Sequence, residues 1–210
     1  VLAVTRNIHQ KGYILKTQAN PGFLEIKELD GLNEQKIRNL FKTCSVCINL
    51  IGILYEENKN QFKKIHSIFP SLLSKIAKEN NIDQYIHLSA LGVENAIDSE
   101  YAKSKLDGEI KVKKNFERSV ILKPSIVYSI DDNFTTNFMT LLNRLPFFPL
   151  YYKGNTKFAP IHCSDLTDTI NHVISNNIYS KIIECVGPEI ISFKEILERL
   201  LNLMGKKRIL

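Results

Sequence analysis

Three side chains that suit proton and hydride transfer lie close together in the middle of the sequence. Tyr101 and Lys105 are four positions apart and share one face of a helix, while Ser89 precedes Tyr101 by twelve positions. On this spacing we expect the lysine to lower the pKa of the phenol and the serine to polarise a carbonyl group. The pattern predicts a proton donor set for hydride chemistry.

The elements around these residues must bring them to one site. Tyr-x-x-x-Lys also occurs on solvated helix faces, so the spacing alone leaves that interpretation open. The run Gln84–Ser89 predicts a buried strand that ends in the serine, followed by a helix over Ser99–Asn115 and another strand over Val120–Lys123. Open α/β sheets bind ligands at the carboxyl ends of their strands, which favours a functional site.

Apolar strand-like runs alternate with helix-like runs along the whole chain. This alternation predicts a parallel sheet covered by helices on both faces. The strands are expected at Val1–Thr5, Phe23–Ile26, Val46–Ile51, Gln84–Ser89, Val120–Lys123, Lys157–Ile161 and Lys181–Val186. The helices are expected at Asn33–Cys44, Lys59–Asn80, Ser99–Asn115, Asn133–Asn143, Ser164–Asn176 and Ser192–Met204. Asn33, Ser164 and Ser192 are expected to cap their helices, Ser192 in a capping box with Glu195.

Ser89, Tyr101 and Lys105 resemble the Ser/Tyr-x-x-x-Lys site of the short-chain dehydrogenase/reductase superfamily, in its extended, epimerase/dehydratase-like branch. The resemblance implies a Rossmann-type, doubly wound parallel sheet, with these three residues as the catalytic set. It also implies a dinucleotide site built from strand ends. The cofactor-binding residues are expected to be Arg6, Asp30, Gly31, Asn49, Leu50, Ile51, Gly52, Ser89, Tyr101, Lys105, Lys123, Pro124, Ser125 and Ile126.

The nature of the cofactor follows from the first of these residues. Arg6 comes after the strand that carries the ribose selector in this superfamily, and a guanidinium suits the 2′-phosphate of NADP better than the free hydroxyl of NAD. We therefore expect NADP(H), with NAD(H) as the less favoured cofactor. The segment Lys123–Tyr128 resembles the Arg-Pro-x-x-Val-Tyr-Gly segment beside the nicotinamide, except that Ser129 replaces the final glycine.

Four motifs, taken in their order along the chain, make the family resemblance more specific. These are Asn-Leu-Ile-Gly-Ile-Leu at 49–54, Ile-His-Leu-Ser-Ala-Leu-Gly at 86–92, Tyr-Ala-Lys-Ser-Lys-x-x-Gly-Glu at 101–109 and Lys-Pro-Ser-x-Val-Tyr at 123–128. Together they are similar to the nucleotide-binding accessory subunits of respiratory complex I and their bacterial relatives. The resemblance implies tightly held NADP(H), complex I subunits as partners and a role in assembly of the NADH:ubiquinone oxidoreductase.

The same resemblance implies a cytoplasmic protein, or one peripheral on the cytoplasmic or matrix face of the respiratory membrane. The alternative is an active NAD(P)-dependent oxidoreductase, epimerase or dehydratase that acts on a small metabolite. The Ser89, Tyr101 and Lys105 set is compatible with both, so whether the protein is an enzyme stays open at this point.

The Gly-rich turn that would present helix amides to a pyrophosphate is the missing part of the pattern. The nine glycines never fall at the G-x-x-G-x-x-G interval. We expect the first strand, this turn and its helix to precede Val1, and the chain by itself to bind dinucleotide poorly. One Rossmann-type domain is expected over residues 1–210, with 132–160 and 187–210 forming a small region that faces substrate or partner.

Composition excludes several other classes of protein. The 210 residues are 44% hydrophobic and 24% charged, as in ordinary globular domains. The net charge of +6 comes from scattered lysines without a basic stripe, which argues against nucleic-acid binding, and no apolar run is long enough for a membrane span. The four cysteines include one C-x-x-C, Cys44 and Cys47, and are expected to be buried free thiols rather than metal ligands.

One segment departs from the regular alternation. Residues 144–153, the aromatic loop, contain two prolines and four aromatic side chains, Phe147, Phe148, Tyr151 and Tyr152. Such a run is too irregular for a helix and too broken for a central strand. It is expected either to cover the cleft or, in a complex I type of subunit, to supply apolar anchors for a partner.

Overall fold

The chain folds into two compact units that are interleaved along the sequence. The computed structural model describes residues 1–29 and 31–210, without the side chains of residues 10, 11 and 13. The first unit contains Val1–His87, Val93–Val120 and Tyr179–Lys181. The second contains Leu88–Gly92, Ile121–Ile178 and Ile182–Leu210. The predicted single domain with a small partner-facing region stays a prediction.

The first unit is built from short parallel strands and the helices that cover them. Its strands are β1 Leu2–Thr5, β2 Glu25–Glu28, β3 Val46–Asn49 and β4 Gln84–Leu88. Strand β1 pairs with β2, and β3 pairs with β4, both in parallel register. An apolar cavity of about 400 Å³ is lined by residues of both β1 and β3, among them Leu2, Val4, Cys47 and Ile48.

In the described part of this unit the α-helices are α1 Ile8–Lys16, α2 Glu34–Phe41, α3 Phe69–Glu79 and α4 Glu100–Asn115. A π-helical segment, Lys63–Ile68, leads directly into α3. Side chains at the helix starts satisfy amides that have no partner within the helix: Asn33 accepts from the Lys36 N–H, and Ser99 accepts from the Ala102 N–H.

The π-helical segment and α4 approach each other closely at a glycine. A Cβ atom added to Gly108 would lie 1.9 Å from the backbone oxygen of His66. Only a residue without a side chain permits this contact, which brings the buried face of α4 onto the segment that carries His66 and Ser67.

The second unit combines short strands with three helices. The strands are β5 Val120–Pro124, β6 Val127–Tyr128, β7 Lys157–Phe158, β8 Ile161–His162, β9 Ile182–Cys185 and β10 Ile191–Ser192. The helices are α5 Asn133–Arg144, α6 Cys163–Ser175 and α7 Phe193–Leu203. Strand β5 is parallel to β9, and β6 to β8, whereas β7 and β10 are antiparallel. Leu142 of α5 packs against the buried leucines of α7.

The order of elements confirms the predicted α/β alternation, with local differences. Helix α1 was not predicted, because its apolar positions and Gly12 give little helical periodicity. The second strand begins at Glu25, two residues later than expected, and the predicted strand Lys157–Ile161 forms the two short strands β7 and β8.

The predicted helix caps are confirmed at two places and wrong at one. Asn33 caps α2, and Ser192 and Glu195 form the expected capping box of α7. Helix α6 begins one residue earlier than predicted, because the ring of His162 accepts from the Ser164 N–H and takes the position assigned to Ser164.

None of the helices in the described part of the chain combines the length and apolarity that a bilayer span requires.

Candidate functional site

Tyr101 and Lys105 share a face of α4, as predicted. The Lys105 Nζ atom lies 6.0 Å from the centre of the Tyr101 ring, and the lysine is 6% exposed. Burial lowers the pKa of Lys105 to about 8, an effect that the charge of Glu109 on the next turn opposes. The ammonium is therefore charged at neutral pH but close to its titration range.

The net shift in the pKa of the Tyr101 phenol is upward, opposite to the lowering expected from Lys105 alone. Burial raises the pKa of Tyr101, because the ring is enclosed by Phe62 and His66, whose ring centroids lie 5.7 and 5.2 Å away. At neutral pH the phenol therefore keeps its proton, and can donate it rather than act as a base.

The loop after β3 packs directly against this pair. A Cβ atom on Gly52 would lie 3.2 Å from Lys105 Nζ, so the glycine backbone and the ammonium are neighbours. Asn49 shapes the loop from its start: its side-chain oxygen accepts from the Ile51 N–H at 3.1 Å, and its amide donates to His87 Nδ1 at 3.1 Å. The structure thus brings the predicted residues Asn49, Gly52, Tyr101 and Lys105 together.

Within this loop, Leu50 and Ile51 differ from Asn49. Their side chains are exposed, whereas Asn49 is buried and its hydrogen bonds stay inside the protein. Asn49 therefore stabilises the loop through these bonds. The cofactor-binding roles of Asn49, Leu50 and Ile51 stay predictions.

Two buried histidines, His66 and His87, lie close enough to Lys105 to feel its charge. Neither was predicted as a site residue. His66 Nε2 accepts from the Ile53 N–H at 3.0 Å. Burial and then the Lys105 charge lower the pKa of His66 to about 4 and that of His87 to about 3. Both imidazoles are therefore neutral at physiological pH. In the sequence His87 is one residue of an apolar strand and His66 one of a polar helical run, and neither spacing indicates a site.

Ser89 and the segment from Lys123 to Ile126 lie in the second unit. Ser89 is buried, and its N–H donates to the Leu122 oxygen at 2.8 Å. Lys123 and Pro124 are buried in β5. That Ser89 acts with Tyr101 and Lys105 as one catalytic set stays a prediction.

The polar groups of Ser125 and Ile126 form hydrogen bonds within the second unit. The Ser125 N–H donates to the Cys185 oxygen at 3.0 Å, and its hydroxyl accepts from the Ala159 N–H at 3.3 Å. The Ile126 oxygen accepts from the Ile161 N–H at 2.9 Å. These bonds connect the end of β5 to its neighbours, and the cofactor-binding role expected of both residues stays a prediction.

The residues expected at the adenosine end follow the first two strands. Arg6 is exposed directly after β1. Gly31 is exposed and has a φ of +71°, in the left-handed region that favours glycine. Asp30 lies outside the described residues. The positions of Arg6 and Gly31 agree with a ligand site at the strand ends, and their roles stay predictions.

The second unit has a cavity of its own, of about 560 Å³. It is lined largely by apolar side chains of α5 and α7, including Phe134, Met139, Ile196 and Leu203. Arg199 at this cavity is already paired with Glu189, at 2.7 Å. The two charged side chains that line this cavity are thus paired with each other.

The cysteines are free thiols, but the prediction that all are buried is wrong. Cys47 is buried, and burial raises its pKa to about 12. Cys163 is exposed at the start of α6, because it occupies the first turn of a helix on the surface of the second unit. The described residues contain no group of three or more His, Cys, Asp or Glu side chains placed to hold a metal ion.

The aromatic loop separates into one partly buried and three exposed rings. Phe148 packs edge-on against Phe138 and Phe193, with centroids 5.9 and 6.5 Å away, so its ring contacts the core of the second unit and is less available as a partner anchor than the other three. Phe147, Tyr151 and Tyr152 are 63, 81 and 88% exposed. The loop contains a short 3₁₀ turn over Tyr151–Gly154, in which Tyr152 has a φ of +49°.

Sequence comparison finds relatives among subunits of respiratory complex I. The chain is 24% identical over 193 residues to the NADH dehydrogenase [ubiquinone] 1 alpha subcomplex subunit 9 of Dictyostelium discoideum, covering 86% of the chain and 53% of that protein. It is 26% identical over 187 residues to the Arabidopsis thaliana protein of the same name, covering 88% of the chain and 46% of that protein. The chain thus spans about half the length of these curated relatives. No family model matches the chain.

Solved structures with a similar fold include a reductase and an epimerase. The dTDP-4-dehydrorhamnose reductase of Bacillus anthracis, in complex with NADP, matches with a TM-score of 0.76 at 17% identity, over 100% of this chain and 82% of that one. The UDP-glucuronic acid 4-epimerase of Bacillus cereus, in complex with UDP-glucuronic acid and NAD, matches with a TM-score of 0.78 at 20% identity, over 100% and 76%. The predicted Rossmann-type fold and the predicted resemblance are confirmed.

Proposed function

We propose that this chain, a relative of complex I accessory subunits with a Rossmann-type fold, is the nucleotide-holding part of an NADP(H)-binding subunit that supports a complex I type of NADH:ubiquinone oxidoreductase. The single observation that carries the proposal is sequence similarity to such subunits over most of the chain. In the cluster of Gly52, Tyr101 and Lys105, the ammonium of Lys105 can donate hydrogen bonds to the hydroxyls of a ribose.

The partners in this proposal are other subunits of the respiratory complex. The protein then sits peripherally on the matrix or cytoplasmic face of the respiratory membrane, held by these partners. Both relatives named above are mitochondrial proteins.

Co-purification tests the proposal directly. The intact protein is purified from its own cells through an affinity tag under mild conditions. It is expected to carry NADP(H) and to co-purify with complex I subunits. Bound nucleotide is identified by mass spectrometry after acid release, and partners by peptide sequencing. Isolation without complex I subunits would contradict the assembly role, and isolation without nucleotide would contradict the cofactor.

A second candidate is an NAD(P)-dependent oxidoreductase, epimerase or dehydratase. The specific observation in its favour is that Tyr101 is half-buried beside Lys105 and retains its proton at neutral pH, as a proton donor must. Turnover of a defined metabolite by the intact protein, lost in Tyr101→Phe, would favour this candidate.

NADP(H) is the proposed form of the cofactor because of Arg6. A guanidinium can bind a 2′-phosphate through two hydrogen bonds, whereas the free hydroxyl of NAD gains nothing comparable. Arg6→Asp is expected to reverse the preference, with NADPH affinity reduced by about 100-fold. Calorimetry at moderate salt with NADPH and NADH measures both, and Lys36→Asp on the exposed face of α2 controls for net charge. Equal affinity of the parent for both cofactors would count against the assignment.

Lys105 and Tyr101 are proposed to have different roles in the site. Lys105→Ala is expected to reduce NADP(H) affinity at least about tenfold, because the ammonium next to Gly52 is the group that binds the ribose hydroxyls. Tyr101→Phe keeps the ring and loses only the hydroxyl, so affinity should change less. Calorimetry compares the two, and retention of full affinity by both variants would show that the site lies elsewhere.

The exposed rings of the aromatic loop are proposed as contacts with the respiratory complex. The double variant Phe147→Ser/Tyr151→Ser should stay folded, keep NADP(H) and separate from the complex on a native gel, because both rings are solvent-facing. Phe148→Ser is the contrast: it removes a partly buried ring that packs against Phe138 and Phe193, and should lower the free energy of unfolding by about 2 kcal/mol. Normal assembly of the double variant would exclude the loop as the interface.

A further inference from the structure

His66 occupies the point at which three segments of the first unit meet. It lies in the π-helical segment, is 1% exposed, and contacts both the loop after β3 and helix α4. Its ring stacks on Phe62 with centroids 5.3 Å apart and an interplanar angle of 19°. The edge-to-face contact with Tyr101 has a centroid distance of 5.2 Å and an angle of 85°.

The hydrogen bonds of His66 fix its protonation state. The Ile53 N–H donates to Nε2 at 3.0 Å, so this nitrogen must carry a lone pair. The ring proton then resides on Nδ1, which faces the Ser104 oxygen at 2.9 Å, and the Ser104 hydroxyl donates to the Tyr101 carbonyl at 2.7 Å. Each donor in this chain has an acceptor only when the imidazole is neutral and protonated on Nδ1.

The same imidazole adjoins the proposed ribose site. A Cβ atom on Gly52 would lie 3.7 Å from His66 Nε2 and 3.2 Å from Lys105 Nζ, so the loop backbone packs against both side chains. The bond from Ile53 holds this backbone in place, while the ring contact limits the rotation of Tyr101. One side chain thus connects the loop to the helix that carries Tyr101 and Lys105.

We propose that His66 is a positioning residue of the dinucleotide site, in which a neutral, Nδ1-protonated imidazole holds the Gly52–Ile53 backbone against Lys105 and orients the Tyr101 ring. The inference rests on the proposed function, since it concerns the same site. It adds a residue that touches no cofactor itself and that acts through the loop and the two α4 side chains.

The electrostatic surroundings favour this state of the ring. The titratable groups that face His66 are Lys105 and Tyr101 on α4 and His87 on β4. An imidazolium would place a second cation beside Lys105 and would present a donor to the Ile53 N–H. Burial and the Lys105 charge lower the pKa of His66 to about 4, which keeps the acceptor available at physiological pH.

Two substitutions separate the functions of the ring. His66→Phe keeps the stacking on Phe62 and the contact with Tyr101 but removes the acceptor for Ile53, so NADPH affinity of the intact protein should fall about tenfold. His66→Gln loses the ring but offers an oxygen near the position of Nε2, and should recover most of that affinity. His172→Phe, at an exposed position on α6, should leave affinity unchanged.

Nitrogen-15 NMR measures the protonation of the two ring nitrogens of His66, which a residue that served only in packing would not need to fix. In the parent the His66 resonances should show a protonated Nδ1 and an unprotonated Nε2, and the Ile53 amide should exchange slowly with solvent in the parent and fast in His66→Phe. If the parent binds NADPH and His66→Phe binds it equally well, or if Nε2 carries the proton, the inference fails and the proposed function stands. If the parent binds no NADPH, the proposed function fails.

Discussion

Gly108→Ala is expected to lower the free energy of unfolding by about 3 kcal/mol or more, or to prevent folding of the first unit. The added Cβ would lie 1.9 Å from the His66 backbone oxygen and 3.0 Å from its carbonyl carbon. A backbone carbonyl cannot rotate away as the end of a side chain can, so α4 and the π-helical segment must separate. Their separation would also displace His66 from Ser104 and Tyr101.

Urea unfolding followed by circular dichroism measures this change. Lys113→Ala is a suitable control, because it alters an exposed position of the same helix and should stay within about 0.5 kcal/mol of the parent. A Gly108→Ala variant as stable as the parent would mean that the two elements do not pack in the way described.

The two buried histidines should make the protein less stable in mild acid. The folded-state pKa values of about 4 for His66 and about 3 for His87 lie below the ordinary value of 6.5. Between pH 6.5 and pH 4 the unfolded chain therefore binds protons that the folded chain does not. The free energy of unfolding is greatest above pH 6.5 and should fall by roughly 2 kcal/mol for each histidine between pH 7.5 and pH 5.

Urea midpoints at pH 7.5 and pH 5.0 test this prediction. The lower value stays above the ordinary pKa of the carboxyl groups, so the histidines dominate the difference. His66→Gln removes one of the two groups and should retain about half of the pH dependence. Equal stability of the parent at both pH values would show that the histidines are more hydrated than their burial indicates.

Several features of this protein were determined by the sequence itself. The alternation of apolar strands and helices, the caps at Asn33 and Ser192, and the shared face of Tyr101 and Lys105 all follow from local periodicity and from hydrogen bonds that span three or four residues. Such features depend on neighbours in the chain, and a sequence contains those neighbours. The order of the motifs also carried the resemblance to complex I subunits, which the comparisons confirm.

Other features were decided only by tertiary structure, because they depend on residues that are distant in the chain. His66 is 38 positions from Ser104, and no spacing reveals that its ring links the loop after β3 to α4. The pKa of Tyr101 rises because rings from another segment enclose it, although its neighbour Lys105 alone would lower it. Phe147 and Phe148 are adjacent and chemically identical, but only Phe148 meets α5 and α7. Burial and desolvation arise from the packing of separate elements, and these set which of the predicted groups can act.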